Sequence, residues 1–177
     1  VGLLGLVVAD VGSISNLHRQ TLFAEADIGK AKTDVAARRL ANLNSDLRFE
    51  AVAERVDPSN IAALCEGVDM VLDCADSFAV SYMASDHCLA TGQPLISASD
   101  FGTEGYDGGF CGIKPGLLAV FIDLPAQLGS RDSDGMLGPR DVVIGSLQVQ
   151  MAIAVLLGNT RPLGQMLTYD AGALRVG

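Results

Sequence analysis

The sequence predicts an α/β fold: a mostly parallel sheet with helices on both faces, and antiparallel hairpins in its C-terminal half. Three observations predict it. Residues 3–9 and 70–74 are near-continuous apolar runs, the pattern of strands buried on both faces of a parallel sheet. Segments with helical spacing alternate with the strands, which implies βαβ units joined by right-handed crossovers. Past Gly102 the texture changes to glycine-rich stretches and short apolar runs such as 117–122, which fit hairpins and irregular loops better than further crossovers.

The elements follow in order. Residues 30–44 carry Ala36, Leu40 and Leu43 at helical spacing and end on Asn44, a plausible cap. Residues 47–54 alternate as a half-buried strand. Residues 58–66 read as a short helix with Pro58 in its first turn. A helix is predicted over 78–90 and a strand starting at 94–98. Residues 127–140, rich in Gly, Asp, Ser and Pro, read as a long surface crossing segment. Residues 141–157 form one long apolar helix, with Val143, Leu147, Met151 and Val155 expected on its buried side, and 165–169 with 174–176 close a terminal hairpin. Ser146, Gln148 and Gln150 interrupt that apolar helix, and it falls short of the roughly 20 residues needed to span a bilayer, so it reads as a core or dimer-interface helix.

A chain of 177 residues fits one domain, 1–177, and no internal repeat or interdomain linker stands out. Acidic residues outnumber basic ones by 21 to 12, and the longest basic run is Arg38-Arg39, which argues against a nucleic-acid surface. Cys65, Cys74, Cys88 and Cys111 form no CxxC pair, and only His18 and His87 could join them, so neither zinc nor a disulfide framework is indicated. No basic leader precedes residues 1–9, and a reduced, cytoplasmic protein away from membranes is the expectation. The chain opens on Val-Gly without Met, so an upstream piece is expected.

The chemistry concentrates in SNLHRQTLF (15–23), DIGKAK (27–32) and LDCADS (72–77). In this order the three motifs closely resemble the ATP-site core of the E1-like adenylating enzymes that activate ubiquitin-like sulfur carriers in thiamine and molybdopterin synthesis, the ThiF/MoeB/HesA family. The resemblance covers nearly the whole chain and implies a Rossmann-like adenylation domain, ATP and Mg2+, a glycine-tipped ThiS- or MoaD-like carrier, and a homodimer or heterodimer. It also implies that Ser15, Asn16, Arg19, Gln20, Lys32 and Asp76 match adenylate-site positions, with Ser77 beside them.

Ligands of a doubly wound sheet bind beyond the carboxyl ends of the strands, so Asp10 and Asp76, each just after a strand, are expected to face one crevice. Arg19 can fork onto two phosphate oxygens, and Lys32 offers a mobile point charge at a helix start whose amides also favour anions. Asp76 is the natural Mg2+ anchor. Arg19, Lys32 and Asp76 are thus the expected catalytic set, and the attacking group is the carrier's own C-terminal carboxylate, giving an acyl-adenylate.

Each residue also has an ordinary reading. Arg19 could be a solvated charge, Lys32 a commonplace first-turn lysine, Asn16 turn chemistry, Asp73 a brace of its strand end, and Asp76 an N-cap. Cys74 and Cys88 read as small core residues, Cys111 is undecided, and His18 is expected in solvent.

The chain departs from the family pattern in several places. The glycine-rich phosphate loop and an upstream arginine would precede Val1. Val8 stands where the ribose-binding acid is expected. Ser77, Ser81 and Ser85 replace an Asn, an Arg and an Asn. Residues 119–122 replace a CxxC zinc half-site, so structural zinc is not expected, and Arg131 occupies the place of a sulfur-handling cysteine. Two other readings stand beside adenylation: a degenerate, non-catalytic E1-like partner, and an NAD-dependent oxidoreductase resting on the parallel sheet alone.

Overall fold

A computed structural model of the chain describes residues 2–101, 104–111, 116–120 and 138–177. The chain divides into two compact units, Val1–Val56 and Asp57–Gly177.

The first unit is one βαβ crossover. Strand β1 (Leu3–Val7) pairs in parallel with β2 (Arg48–Val52), from Leu3 opposite Arg48 to Val7 opposite Val52. Helix α1 (Lys32–Leu43) joins them. The run 3–9 predicted a strand buried on both faces, but Leu3, Leu4, Leu6 and Val7 are half-buried and Gly5 is exposed. The strand also stops at Val7, because the Val8 amide makes the last bond to β2, at the Val52 carbonyl, before the chain turns away. In β2 the predicted alternation holds only to Glu50: Phe49 is half-buried between exposed Arg48 and Glu50, but Ala51 is exposed and Val52 half-buried, out of the period of two.

Helix α1 buries Thr33, Val35 and Ala36, and its C-cap is Asn44, whose extended backbone lets its N–H reach the Leu40 carbonyl. Leu43 corrects the predicted stripe. It is 78% exposed.

The second unit is a five-stranded sheet in sequence order. β3 (Val71–Asp73) lies parallel to β4 (Leu95–Phe101), and β5 (Glu104–Phe110), β6 (Met166–Asp170) and β7 (Arg175–Val176) follow antiparallel. The parallel pairs in the first half and the antiparallel strands past Gly102 are those the sequence predicts, but Leu117–Val120 of the run 117–122, expected in hairpins or loops, is helical. Ahead of β3, α2 (Ile61–Leu64) is shorter than predicted. Asp57 Oδ1 gathers the amides of Ser59 and Asn60 and the Ser59 hydroxyl, turning the chain around Pro58 so that regular helix starts only at Ile61.

Alternation along β4 sends its side chains to two faces, each with its own core. Leu95 packs with Ala84 and Cys88 of α3 (Phe78–Thr91), with Tyr106 and Phe110, and with Leu117 of the short helix α4 (Leu117–Val120). Ile96 packs on the other face with Met151 and Ala152 of α5 (Gly138–Leu156). Leu95 and Ile96 are both fully buried. Each contributes about 1.5–3 kcal/mol by leaving water, so the two faces are comparably anchored. Gly105 lets α5 approach, since a Cβ there would lie 2.1 Å from Ile144 Cδ1.

Helix α5 begins at Gly138, so the last three residues assigned to the crossing segment form its first turn, where Pro139 is well tolerated; residues 127–137, Arg131 among them, lie outside the described residues. Its buried face also differs from prediction. Ile144, Gln148, Met151 and Ala152 point inward, Leu147 and Val155 are half-buried, and Val143 is exposed. The face turns this way because Gln148 is drawn inward by two backbone carbonyls, Asp73 O and Ile96 O. Among the described residues no helix is long and apolar enough to cross a membrane.

Candidate functional site

In the first unit the chain between β1 and α1 carries Asp10, Ser15, Asn16, Arg19, Gln20 and Lys32. Lys32 is the first residue of α1, and its amide donates to the Asp10 carbonyl at 3.0 Å. Its Nζ lies 3.3 Å from Asp10 Oδ2. The lysine side chain is 11% exposed and the aspartate 60%. Lys32 is therefore held rather than mobile, with its stem packed away and its charge directed at the open carboxylate.

The SNLHRQ run is organised by its own backbone. Ser13 caps a 3-10 turn over Ile14–Asn16, its Oγ accepting from the Ser15 amide at 3.3 Å. The Asn16 backbone carbonyl accepts the amides of Arg19 at 3.1 Å and Gln20 at 2.9 Å and closes the turn. Arg19 Nη1 donates to the Ser15 carbonyl at 3.0 Å and meets His18 Nε2 at 2.8 Å, with His18 exposed as expected. Gln20 Oε1 is buried with no hydrogen-bond partner among the described residues, an arrangement that costs on the order of 1–3 kcal/mol unless something supplies a donor.

Sequence reading missed the residue that holds this segment together. Asp27 is 3% exposed and accepts from the Ala24 amide at 3.1 Å and from Arg39 Nη2, with Arg38 at 3.5 Å and Lys30 at 3.7 Å. Gly12 passes directly over it: a Cβ there would lie 2.5 Å from the Asp27 carbonyl oxygen. The Gly12 amide meets the Lys30 carbonyl at 2.8 Å, and Gly12's own carbonyl accepts from Gly29 at 2.9 Å. The available signal was an aspartate followed by Arg38-Arg39 on the next helix.

In the second unit, Asp73 braces the end of β3. Oδ1 accepts the Ala75 amide at 3.0 Å and Oδ2 the Ser97 hydroxyl at 2.7 Å. Asp76 is exposed, and its carboxylate takes no hydrogen bond or ion pair among the described residues. Ser77, not Asp76, is the N-cap of α3, and it caps without a side-chain bond. Ser81 and Ser85 are buried and used internally: the Ser81 hydroxyl donates to the Ser77 carbonyl at 3.3 Å, and Ser85 Oγ accepts the Leu117 amide at 2.8 Å. The geometry thus groups Asp10, Ser15, Asn16, Arg19, Gln20 and Lys32 in one unit, and Asp76 with Ser77 in the other.

Cys74 corrects the expectation of a core thiol. The residue is exposed, while its Sγ reaches Gln148 Oε1 at 3.2 Å. Poor hydration at the sulfur, reinforced by the Asp73 charge, pushes its pKa up to about 11. Cys88 is a core residue as expected, its thiol pushed up to about 12 by burial. Neither is a ready nucleophile at neutral pH. Asp107 was also missed. It is 1% exposed, its Oδ1 has no partner among the described residues, and burial raises its pKa to about 7.

Comparisons with known proteins agree on the family and the fold. The profile of the ThiF family matches residues 1–176. The adenylyltransferase and sulfurtransferase MOCS3 of Sus scrofa is 36% identical over 180 residues, covering 97% of this chain and 38% of that protein. The sulfur carrier protein adenylyltransferase of Thermus thermophilus is 33% identical over 180 residues, covering 97% of this chain and 66% of that protein. The chain therefore spans less than two thirds of these relatives. Among solved structures, Escherichia coli MccB with ATP superposes with a TM-score of 0.85 at 23% identity, covering 99% of this chain and 55% of that one, a likeness of fold.

Proposed function

Since the chain belongs to the ThiF family, we propose that residues 1–177 act as one E1-like adenylation domain, activating the C-terminal glycine of a small ubiquitin-like carrier with ATP. The observation that supports this reading is the Lys32–Asp10 pair at 3.3 Å at the start of α1, preceded in the chain by the turn that carries Arg19. A fixed cation, a helix start and a guanidinium in one short stretch are suited to a triphosphate. Relatives named as sulfur carrier protein adenylyltransferase and SAMP-activating enzyme E1 support the carrier class. The carrier is of ThiS or MoaD type, the pathway thiamine or molybdopterin synthesis, the setting cytoplasmic and the assembly dimeric.

In the reaction, a carboxylate oxygen of the carrier attacks the α-phosphorus of ATP, the bond to the bridging oxygen breaks, and pyrophosphate leaves with that electron pair. Arg19 and Lys32 hold the phosphates and oppose the charge that grows on them. Asp10 holds the Lys32 ammonium in place through its carboxylate at 3.3 Å. Buried Gln20 offers an unfilled acceptor to a donor on the nucleotide or on bound water. Ser15 and Asn16 shape the turn, and Ser77 starts α3 directly after Asp76.

Asp76 fits Mg2+ as a single open carboxylate, because that ion usually combines one or two carboxylates with substrate phosphates. Among the described residues no group of three or more His, Cys, Asp or Glu is placed to hold a metal alone. When bound, the ion would draw charge from the α-phosphate.

The test is hydroxylamine trapping. The full-length protein, Mg-ATP and a Gly-terminated carrier should yield the carrier hydroxamate, and a carrier lacking its terminal Gly should yield none. A second reading, a non-catalytic partner subunit, draws support from Val8 at the ribose position and from Ser81 and Ser85, which are spent on internal bonds.

A further inference from the structure

Gln148 is 5% exposed on the buried face of α5, and both its amide hydrogens and its carbonyl oxygen are engaged. Nε2 donates to the Asp73 carbonyl at 2.8 Å and to the Ile96 carbonyl at 3.0 Å. Oε1 accepts the Cys74 thiol at 3.2 Å. Carbonyls only accept, so the amide has one orientation here.

The two carbonyls belong to neighbouring parallel strands at the place where their ladder ends, since Asp73 opposite Ser97 is the last β3–β4 pair. Beyond it the chain leaves the sheet and runs through Cys74, Ala75, Asp76 and Ser77 into α3. Gln148 adds from a helix a further donor to each of two carbonyls in the last rungs of that ladder, tying the end of β3 and β4 to α5. The Asp73 carboxylate holds the same segment through the Ala75 amide at 3.0 Å and is itself fixed by the Ser97 hydroxyl at 2.7 Å. Residues 73, 74 and 75, immediately ahead of Asp76, are each tied down, while the Asp76 carboxylate is left open.

We propose that Gln148 is a positioning residue for Asp76: it locks the end of β3 and the thiol of Cys74, so that the open carboxylate is presented in one place to a metal–phosphate group. The inference rests on reading Asp76 as the metal-side carboxylate, although the clamp itself can be measured without activity. Loss of these side-chain donors would remove the brace between α5 and the last β3–β4 rung and loosen the segment that carries the carboxylate.

The test compares the full-length protein with Gln148→Met, which keeps length but cannot donate, and with Cys74→Ser, which keeps a donor to Oε1. In Gln148→Met, hydrogen exchange at the Ala75 amide should accelerate by about tenfold or more, with protection retained in the middle of β4 and in α5. The Mg2+ concentration giving half-maximal pyrophosphate exchange should rise about tenfold, the usual scale for a residue supporting a metal ligand, while KM for ATP at saturating Mg2+ stays within about twofold. Cys74→Ser should match the parent in both. If Gln148→Met does not fold, Gln148→Asn, one methylene short of the carbonyls, takes its place.

Unchanged exchange at Ala75 overturns the inference, as does protection lost evenly through the sheet. So does an unchanged Mg2+ requirement in an active protein. If the parent catalyses no pyrophosphate exchange, the adenylation reading fails and the Ala75 amide alone decides the clamp.

Discussion

Arg39 and Asp27 form an ion pair that fastens α1 to the turn ahead of it: Arg39 donates through one nitrogen to the Asp27 carboxylate and through another to the Leu22 carbonyl. The carboxylate is nearly sealed, with 4% of its side chain exposed. Removing one partner of a buried pair leaves an uncompensated charge, which costs more than the pair gains by forming. Asp27→Ala should therefore destabilise the protein by on the order of 3 kcal/mol and drop Tm, measured by thermal unfolding. An effect under about 0.5 kcal/mol would place Asp27 among ordinary surface carboxylates.

Gly12 lies against the same residue. Gly12→Ala forces a Cβ to within 2.5 Å of the Asp27 carbonyl oxygen, so the turn must shift. The expected loss is about 1–3 kcal/mol, with weaker nucleotide binding because the turn leads into Ser15–Gln20. Isothermal titration alongside denaturant unfolding separates the two effects.

Asp107 sets a pH dependence. Its pKa in the fold is raised by burial from 3.8 to about 7, so the fold favours the protonated form. The stability contributed by that proton is fully present below pH 3.8 and is lost as pH rises through about 7. Asp107→Asn should flatten this slope and gain on the order of a few kcal/mol at pH 8, read from urea unfolding between pH 4 and 8. An unchanged slope would mean that the carboxylate titrates normally.

Arg19→Ala should weaken ATP binding by about 1.5–3 kcal/mol, the worth of a charge-assisted hydrogen bond, with little change in Tm. Lys32→Ala should do both, losing affinity and some stability, because its stem is packed and its charge pairs with Asp10. Equal affinity in both variants and the parent would assign the two cations to the surface.

Most of the fold was legible because period is a local signal. The strand at 70–74, the helices at 30–44 and 78–90, and the terminal hairpin follow from apolar spacing and from Gly, Pro and Asn punctuation. The errors lie where distance along the chain matters. Leu43 fits the helical stripe, but spacing alone does not say which turns of a helix are covered, and Leu43 is exposed. Val143 was expected inside and Gln148 was counted only as a polar interruption, yet Gln148 turns inward to carbonyls as far as 75 residues away. Cys74 ends an apolar run, and only the helix that meets it decides its surroundings. Motif resemblance singled out Arg19, Lys32 and Asp76. It could not show Asp27, whose role is set by partners before and after it, or Asp107, which sits among glycines that gave no sign of burial.

The most direct measurement of the central claim is exchange of labelled pyrophosphate into ATP by the full-length protein, with Mg2+ and ThiS-type or MoaD-type carriers ending in Gly. Adenylation is reversible while the acyl-adenylate stays bound, so the reading predicts exchange that requires the carrier and falls by about a hundredfold or more in Asp76→Ala, the scale expected when a charge-stabilising group is removed. No exchange with either carrier type from a folded protein that binds ATP would contradict it and favour the non-catalytic partner.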